Sequence, residues 1–419
     1  MKTQQTTQPG EQNGTAADAE RMLAAWGAAP LLFFALLPDK RYLLGDNWGV
    51  AYRVVGRQAL ALGDPFGDPA AAPKAVWAFG TLCRRHGWKP VWYQTTAGNL
   101  DVYHQAGLKS VKAGEDAQIA LPEFSLAGKK YVKLRNDLRR IEKAGITLEV
   151  YGPDDPPGAK CVAEMDTISR GWRKAHGANE GWFAMGGFDP VSELFARSRY
   201  FVARDTSTGR VAAFISFIPI FGAGQVDGWT LDLMRRQADS VHGVMDFLIV
   251  SAATQFTSEG AKMLSLGLSP LAGEDDPKEA AATSSVRRFL YTRLNRAYNF
   301  QGLHAFKGKF ATHWEPRFLV YSGRMALASA SGAVLKAHIT APSALPRLTR
   351  RVGSRRQGAL LLGTLLLLGL VPLEQSLAHQ AALRSHQIEH LYSARLTHTH
   401  FPHTHFRLRP FSFHHPARV

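Results

Sequence analysis

From Arg41 to Tyr321 the chain is broken into short apolar runs, each ended by glycine or a small polar turn. Such runs read as strands and short helices of an α/β fold. Arg41–Leu44, Gly49–Val55 and Ala59–Leu62 form a meander, divided by Gly45-Asp46-Asn47 and Gly56-Arg57. Pro73–His86 reads as a helix closed by Gly87, Pro90–Thr95 as a strand, and Leu100–Ala106 as a helix capped by Gly107. Leu108–Ala113 and Asp116–Leu121 read as two more strands. A second unit follows the same outline. Helices are expected at Lys129–Ala144, Ala159–Lys174, Gly243–Ser258 and Ser284–Tyr298. Strands are expected at Thr147–Tyr151, Tyr200–Arg204, Val211–Ile220, Gly228–Met234, Met263–Leu268 and Arg317–Tyr321. The shared outline, a meander followed by helix and strand, points to a structural duplication without a visible sequence repeat.

The ends have a different character. Residues 1–17 are polar and read as a disordered lead; residues 18–37 read as a helical stretch ending in LLFFALLP, too short to span a membrane and best placed in the core. Residues 324–357 read as a basic linker, Ala/Ser/Pro-rich at first and then carrying Arg347, Arg350, Arg351, Arg355 and Arg356. Gly358–Leu373 is uncharged and about 24 Å long as a helix, against about 30 Å of hydrocarbon. It reads either as a short helix anchored on or in a membrane, with its arginine flank on the cytoplasmic side, or as a helix packed elsewhere. Residues 374–419 form a His-rich tail without the carboxylates or thiolates that would favour a metal site, and it reads as low-complexity sequence. The net charge of +16 divides at about residue 330: +7 lies before it and +9 after. An anionic partner, nucleic acid or membrane, is expected.

Several chemistries are absent from the sequence. Two cysteines, Cys83 and Cys161, exclude a disulfide scaffold and a multi-cysteine zinc module. There is no phosphate-binding G-x-x-x-x-G-K-[ST] loop, no G-x-S-x-G elbow and no H-E-x-x-H. Gly222-Ala223-Gly224 lacks the third glycine of a dinucleotide fingerprint.

Three segments carry candidate chemistry. Asp232 and Arg235 sit at the end of a strand, and the next helix opens at Gly243 with Asp246 in its first turn. Free N–H groups at that helix start favour an anion, although Asp246 equally suits the helix dipole and Asp232 an ion pair with Arg235. Tyr298–Arg317 interleaves His304, Lys307, Lys309, His313 and Arg317 with Phe300, Phe306, Phe310 and Trp314, a pattern that suits phosphate and base contacts or a basic loop over core aromatics. Lys129, Lys130, Lys133, Arg135, Arg139 and Arg140 line the helix 129–144, above a stripe of Val132, Leu134, Leu138 and Ile141. Such a face can follow an RNA backbone or simply be solvated.

Seven strings occur in fixed order: LGDPFGD (Leu62–Asp68), FSLAGKKYVKLRN (Phe124–Asn136), LDLMRR (Leu231–Arg236), GVMDFL (Gly243–Leu248), LGLSPLAG (Leu266–Gly273), YNFQGLHAFKGKF (Tyr298–Phe310) and WEPRFLVY (Trp314–Tyr321). Together they resemble the C-terminal synthase domain of the aminoacyl-phosphatidylglycerol synthases, the multiple peptide resistance factors of bacteria, over residues 30–322. The resemblance implies tandem acetyltransferase-like (GNAT) folds with mixed sheets, at 18–123 and 124–323, the second catalytic. It implies transfer of lysine or alanine from aminoacyl-tRNA to phosphatidylglycerol at the cytoplasmic face of the inner membrane. The motif residues match Asp232, Arg235 and, of the two lysines, Lys307. The multi-helix flippase domain that precedes the synthase in that family has no counterpart here, so no flippase activity is expected.

The chemistry implied is an ester exchange that needs no cofactor or metal. It needs a carboxylate to orient or deprotonate the lipid hydroxyl or to hold the amino acid's ammonium, and cations for phosphate or a developing oxyanion. Asp232 supplies the first; Arg235 and Lys307 supply the second. Lys309, Gly243, Asp246, Glu115, Asp116 and Arg317 are the candidates for substrate contacts, with Glu115, Asp116 or Asp227 available for a lysine side chain. The competing expectations are a tRNA-dependent transferase acting on a peptidoglycan precursor and a non-catalytic membrane- or RNA-binding protein.

Overall fold

In the computed structural model the described residues are 12–26, 29–176, 181–222, 224–270, 300–323 and 327–340. The expected helix at Ser284–Tyr298, the apolar segment 358–373 and the His-rich tail lie outside them.

The first half runs β1 (Gln12–Asn13), α1 (Ala16–Trp26), β2 (Arg41–Leu44), β3 (Trp48–Val55), β4 (Gln58–Leu62), β5 (Phe66–Gly67), α2 (Ala72–Arg85), β6 (Lys89–Thr96), α3 (Leu100–Gln105) and β7 (Lys109–Ala120). The second runs α4 (Val132–Lys143), β8 (Ile146–Tyr151), α5 (Ala159–His176), α6 (Glu193–Arg197), β9 (Arg199–Asp205), β10 (Arg210–Gly222), β11 (Gln225–Arg236), α7 (Val244–Ser258), β12 (Met263–Pro270), α8 (Phe300–Gly308) and β13 (His313–Tyr321). A last helix, α9 (Leu327–Ile339), follows.

Each half contains an antiparallel meander whose last strand leads through a helix into a parallel neighbour: β4–α2–β6 in the first, β11–α7–β12 in the second. A second helix then leads to a final strand. This is the tandem acetyltransferase-like fold. The two final strands are exchanged. β13 lies between β6 and β7, and β7 lies beside β12, so one sheet runs β1-β2-β3-β4-β6-β13-β7-β12-β11-β10-β9-β8, with β5 on β3. The expected boundary near residue 123 therefore separates the halves in sequence but not in space. The two strands expected at Leu108–Ala113 and Asp116–Leu121 are one strand, β7, because β13 bonds one edge from Lys109 to Gln118 and β12 the other from Gly114 to Ala120.

Burial follows from this layering. β10 is buried at almost every position, and helices α1, α5 and α7 pack against it. Its sequence, RVAAFISFIPIFG, is accordingly apolar without alternation. Trp229 stacks on Phe256 of α7 at 4.9 Å, joining β11 to the helix that follows it.

Three expectations change. Residues 12–17 are not a disordered lead: Gln12 and Asn13 pair with β2, and Thr15 and Asp18 exchange capping hydrogen bonds at the start of α1. The stretch 18–37 is not one helix but α1 followed by a 3-10 turn at Leu32–Leu36, whose Phe33, Phe34 and Ala35 are in the core. The linker reading fails for 327–340. There, α9 buries Ala330, Ala333, Val334 and Ala337 against the first half, while Arg53 donates to Ala337 O (2.7 Å) and Thr340 O (2.6 Å). Small residues that look like linker composition are what allow this helix to approach the sheet closely. On α4, Leu134 and Ile141 are buried as expected, but Val132 is exposed. Among the described residues no helix is long and apolar enough to cross a membrane.

Candidate active site

The parallel pairing of β11 and β12 ends at Thr230 and Ser265. Beyond that point β11 follows β10 and β12 follows β7, so the sheet opens. Bulges bend the strands around the opening. Asp232 and Leu233 oppose the single residue Ser216, whose Oγ accepts the Leu233 N–H at 3.1 Å. Leu266 and Gly267 oppose Ala117, with Gly267 at φ +79°. Gln94 is the extra residue of β6 against β13, held at φ +65°. Bulges of this kind redirect side chains, and here they do so around one cleft of about 110 Å³.

Asp232, Arg235, Lys307 and Asp116 line that cleft together. Asp232 accepts the backbone N–H of Gly186 at 2.9 Å. A Cβ on residue 186 would lie 2.4 Å from an Asp232 oxygen, so any larger residue there would push the carboxylate from its place. The Arg235 guanidinium lies 3.8 Å from the ring centre of Trp172 on α5 and donates to Met234 O. Lys307, on α8, is buried and donates to Gly267 O (2.9 Å) and Leu268 O (2.8 Å), the carbonyls of the β12 bulge. Burial pulls its ammonium down to about 7; the Asp116 carboxylate acts in the opposite direction. Asp116 is itself held from three sides, by Arg317 (3.1 Å), Gln118 (2.9 Å) and Ser265 (2.7 Å). Arg317 also binds Glu315 at 2.7 Å. It supports Asp116 from behind and does not line the cleft.

The other candidates lie elsewhere. Lys309 pairs with the buried Asp246 at 2.9 Å, joining α8 to the first turn of α7. Gly243 caps α7 at φ +93°, facing Asp137 and Arg140 of α4. Glu115 is bound by Lys112 at 2.8 Å and has His304 3.8 Å away. Asp227 pairs with Lys262 at 2.9 Å. Of the basic set, Lys129, Lys130, Lys133, Arg139 and Arg140 are exposed. Arg135 is turned inward, where it binds Leu126 O and Gly128 O and shapes the turn before α4. Arg140 reaches Asp137 (2.9 Å) and His242 (3.1 Å), linking α4 to the loop that leads into α7.

The cleft also contains residues that sequence reading did not single out: Trp172, Gly186, Gln94 and His338. They come from a helix, a loop, a strand of the other half and α9, so no local spacing connects them. A buried charge cluster positions two of these segments. Lys40 and Arg53 both bind Asp39; Lys40 donates to Phe183 O at 2.8 Å, ahead of Gly186, and Arg53 holds the end of α9.

The match to known proteins covers this assembly except for α9. Residues 20–321 match the family model described as phosphatidylglycerol lysyltransferase, C-terminal. This chain belongs to that family. It is 28% identical over 314 residues to the phosphatidylglycerol lysyltransferase of Bacillus subtilis, covering 74% of this chain and 35% of that protein. It is 27% identical over 306 residues to that of Staphylococcus aureus, covering 73% and 35%. The chain thus spans about a third of the length of these family members. Among solved structures, the C-terminal domain (DUF2156) assigned to a lysylphosphatidylglycerol synthetase of Agrobacterium fabrum superposes with a TM-score of 0.65 at 29% identity, over 77% of this chain and 96% of that one. The structure of L-PGS from Bacillus licheniformis gives 0.66 at 24% identity, over 80% and 100%, a likeness of fold.

Proposed function

We infer that this chain transfers an amino acid, lysine or alanine, from aminoacyl-tRNA to a hydroxyl of phosphatidylglycerol. The observation that carries the reading is the convergence of Asp232, Arg235 and Lys307, with the Asp116 carboxylate beside them, where the sheet opens. Family membership supports the same substrates. The lipid hydroxyl attacks the aminoacyl ester carbon, the bond to the terminal ribose oxygen of the tRNA breaks, and that oxygen takes the proton. One ester replaces another, so no energy source is required.

Asp232 accepts the backbone N–H of Gly186, which fixes its carboxylate at the cleft. Its role is to hold the α-ammonium of the transferred amino acid. Arg235 and Lys307 face the negative charge of phosphate and of the tetrahedral intermediate. Losing one such donor costs about a hundred- to a thousandfold in turnover. The exposed cations of α4 offer a track for the tRNA backbone. The chain works at the cytoplasmic membrane face, with 358–373 as its anchor.

Lipid mass spectrometry of a host expressing the full chain, beside Asp232→Asn, tests this reading. Aminoacylated phosphatidylglycerol is expected from the first and a loss of a hundredfold or more in the second. Full transfer by Asp232→Asn would overturn the role of Asp232. An aminoacylated peptidoglycan precursor in place of the lipid would overturn the acceptor.

A further inference from the structure

His338 lies on α9, beyond the residues that match the family model, and it lines the same cleft as Asp232, Arg235 and Lys307. It is buried to 1% exposure. Its Nδ1 lies 2.8 Å from Val334 O, and a carbonyl can only accept, so Nδ1 carries the proton. Nε2 is then a lone-pair acceptor, and among the described residues no hydrogen bond reaches it. The ring is fixed edge-on by Tyr93 and Phe183, each at 5.5 Å. The charged groups bearing on it are Lys40, Asp39 and Arg53, the cluster that anchors α9 and the loop carrying Gly186. A buried acceptor without a partner is costly in a native protein and calls for one. The charged groups of the cleft are the carboxylates Asp232 and Asp116 and the cations Arg235 and Lys307, while Ser265 and Thr230 spend their hydroxyls on Asp116 and Pro30 O. A neutral acceptor suits a hydroxyl.

We propose that His338 contacts the acceptor substrate, its Nε2 accepting a hydrogen bond from the hydroxyl that attacks the aminoacyl ester. This rests on the transfer reading and deepens it. The hydroxyl oxygen forms the new bond to the ester carbon, the ribose oxygen leaves, and the proton oriented by Nε2 ends on that leaving oxygen. Sites built to meet a substrate hydroxyl discriminate strongly against an analogue lacking it, because their own polar group is then left unpaired.

The test uses the full chain, a short-chain phosphatidylglycerol and its deoxy analogue lacking the acylated hydroxyl. Wild type is expected to bind the hydroxyl form at least tenfold more tightly in calorimetry. His338→Asn keeps a donor for Val334 O and removes the acceptor at the Nε2 position. It is expected to bind both lipids alike and to lose about ten- to a hundredfold in kcat/KM for the lipid, with the KM for charged tRNA unchanged. His338→Gln returns an acceptor toward that position and is expected to recover several-fold over His338→Asn. Equal binding of the two lipids by wild type would overturn the proposal, whether or not the variants fold. So would undiminished turnover in folded His338→Asn, or a loss shared equally between lipid and tRNA. No aminoacylated lipid from wild type would overturn the transfer reading itself, and with it this role.

Discussion

At the scale of single residues, the site depends on groups held away from their ordinary states. Lys307 is the clearest case. The proposed reaction uses its ammonium as a cation, yet burial lowers its value to about 7. In the free enzyme the charged form is therefore lost as pH rises through that value. The expected outcome is a kcat/KM that falls above about pH 7, and a Lys307→Arg variant, weaker in turnover, whose profile lacks that limb. Rates across pH 6–9 check it. The same burial affects stability. Lys307 and Lys40, the latter lowered by burial to about 8, both have folded values below the ordinary 10.5. The unfolded chain thus binds more protons between those values and 10.5, and the contribution of these groups to stability rises with pH across that window. Denaturant melts at pH 7 and pH 9 measure that slope. Gly186 is a steric case: with only 2.4 Å between a Cβ and Asp232, Gly186→Ala is expected to cut turnover at least tenfold and to shift Tm by only a few degrees. None of this was legible locally. Asp232, Arg235 and Lys307 were found through their motif strings, but His338, Trp172 and Gly186 belong to no string that repeats a known chemistry.

At the scale of elements, α9 decides what a truncation means. Its composition reads as linker, yet it buries four small residues and receives two hydrogen bonds from Arg53. Ending the chain at Gly323 would strip the first half of that cover and remove His338, so loss of both folding stability and activity is expected. Ending it at Thr340 keeps the helix and removes the apolar segment and tail. That form is expected to retain turnover on lipid in detergent while binding anionic vesicles less well, which co-sedimentation measures. Arg53→Met is expected to destabilise by about 1–3 kcal/mol, because it leaves Ala337 O and Thr340 O without their donor and Asp39 paired with Lys40 alone. A denaturant melt gives the value.

At the scale of the whole molecule, the exchange of β7 and β13 makes the two halves interdependent. β13 is bonded to strands of the first half on both edges, and β7 joins the second half through β12. Expressing residues 1–123 alone would leave β6 and β7 without the strand between them, an open gap prone to aggregation. The described fold is therefore expected to unfold in one cooperative step, with fluorescence and circular dichroism transitions coinciding. The cleft depends on the same exchange, since Tyr93 and Gln94 from the first half and Asp232 and Lys307 from the second meet in it.

The sequence by itself determined the elements, the repeated outline of the two halves and the three motif residues Asp232, Arg235 and Lys307. Hydrophobic period, turn glycines and uncommon strings are local properties, and local reading recovers them. Tertiary structure alone decided that the final strands are exchanged, that α9 is part of the core, that Asp246 pairs with Lys309, and that Arg135 binds Leu126 O and Gly128 O. It also decided that His338 lines the same cleft as Asp232, about a hundred residues away in sequence. The reason is physical: partner choice for a strand, and the burial that moves a lysine or histidine from its ordinary state, depend on what the rest of the chain places around them.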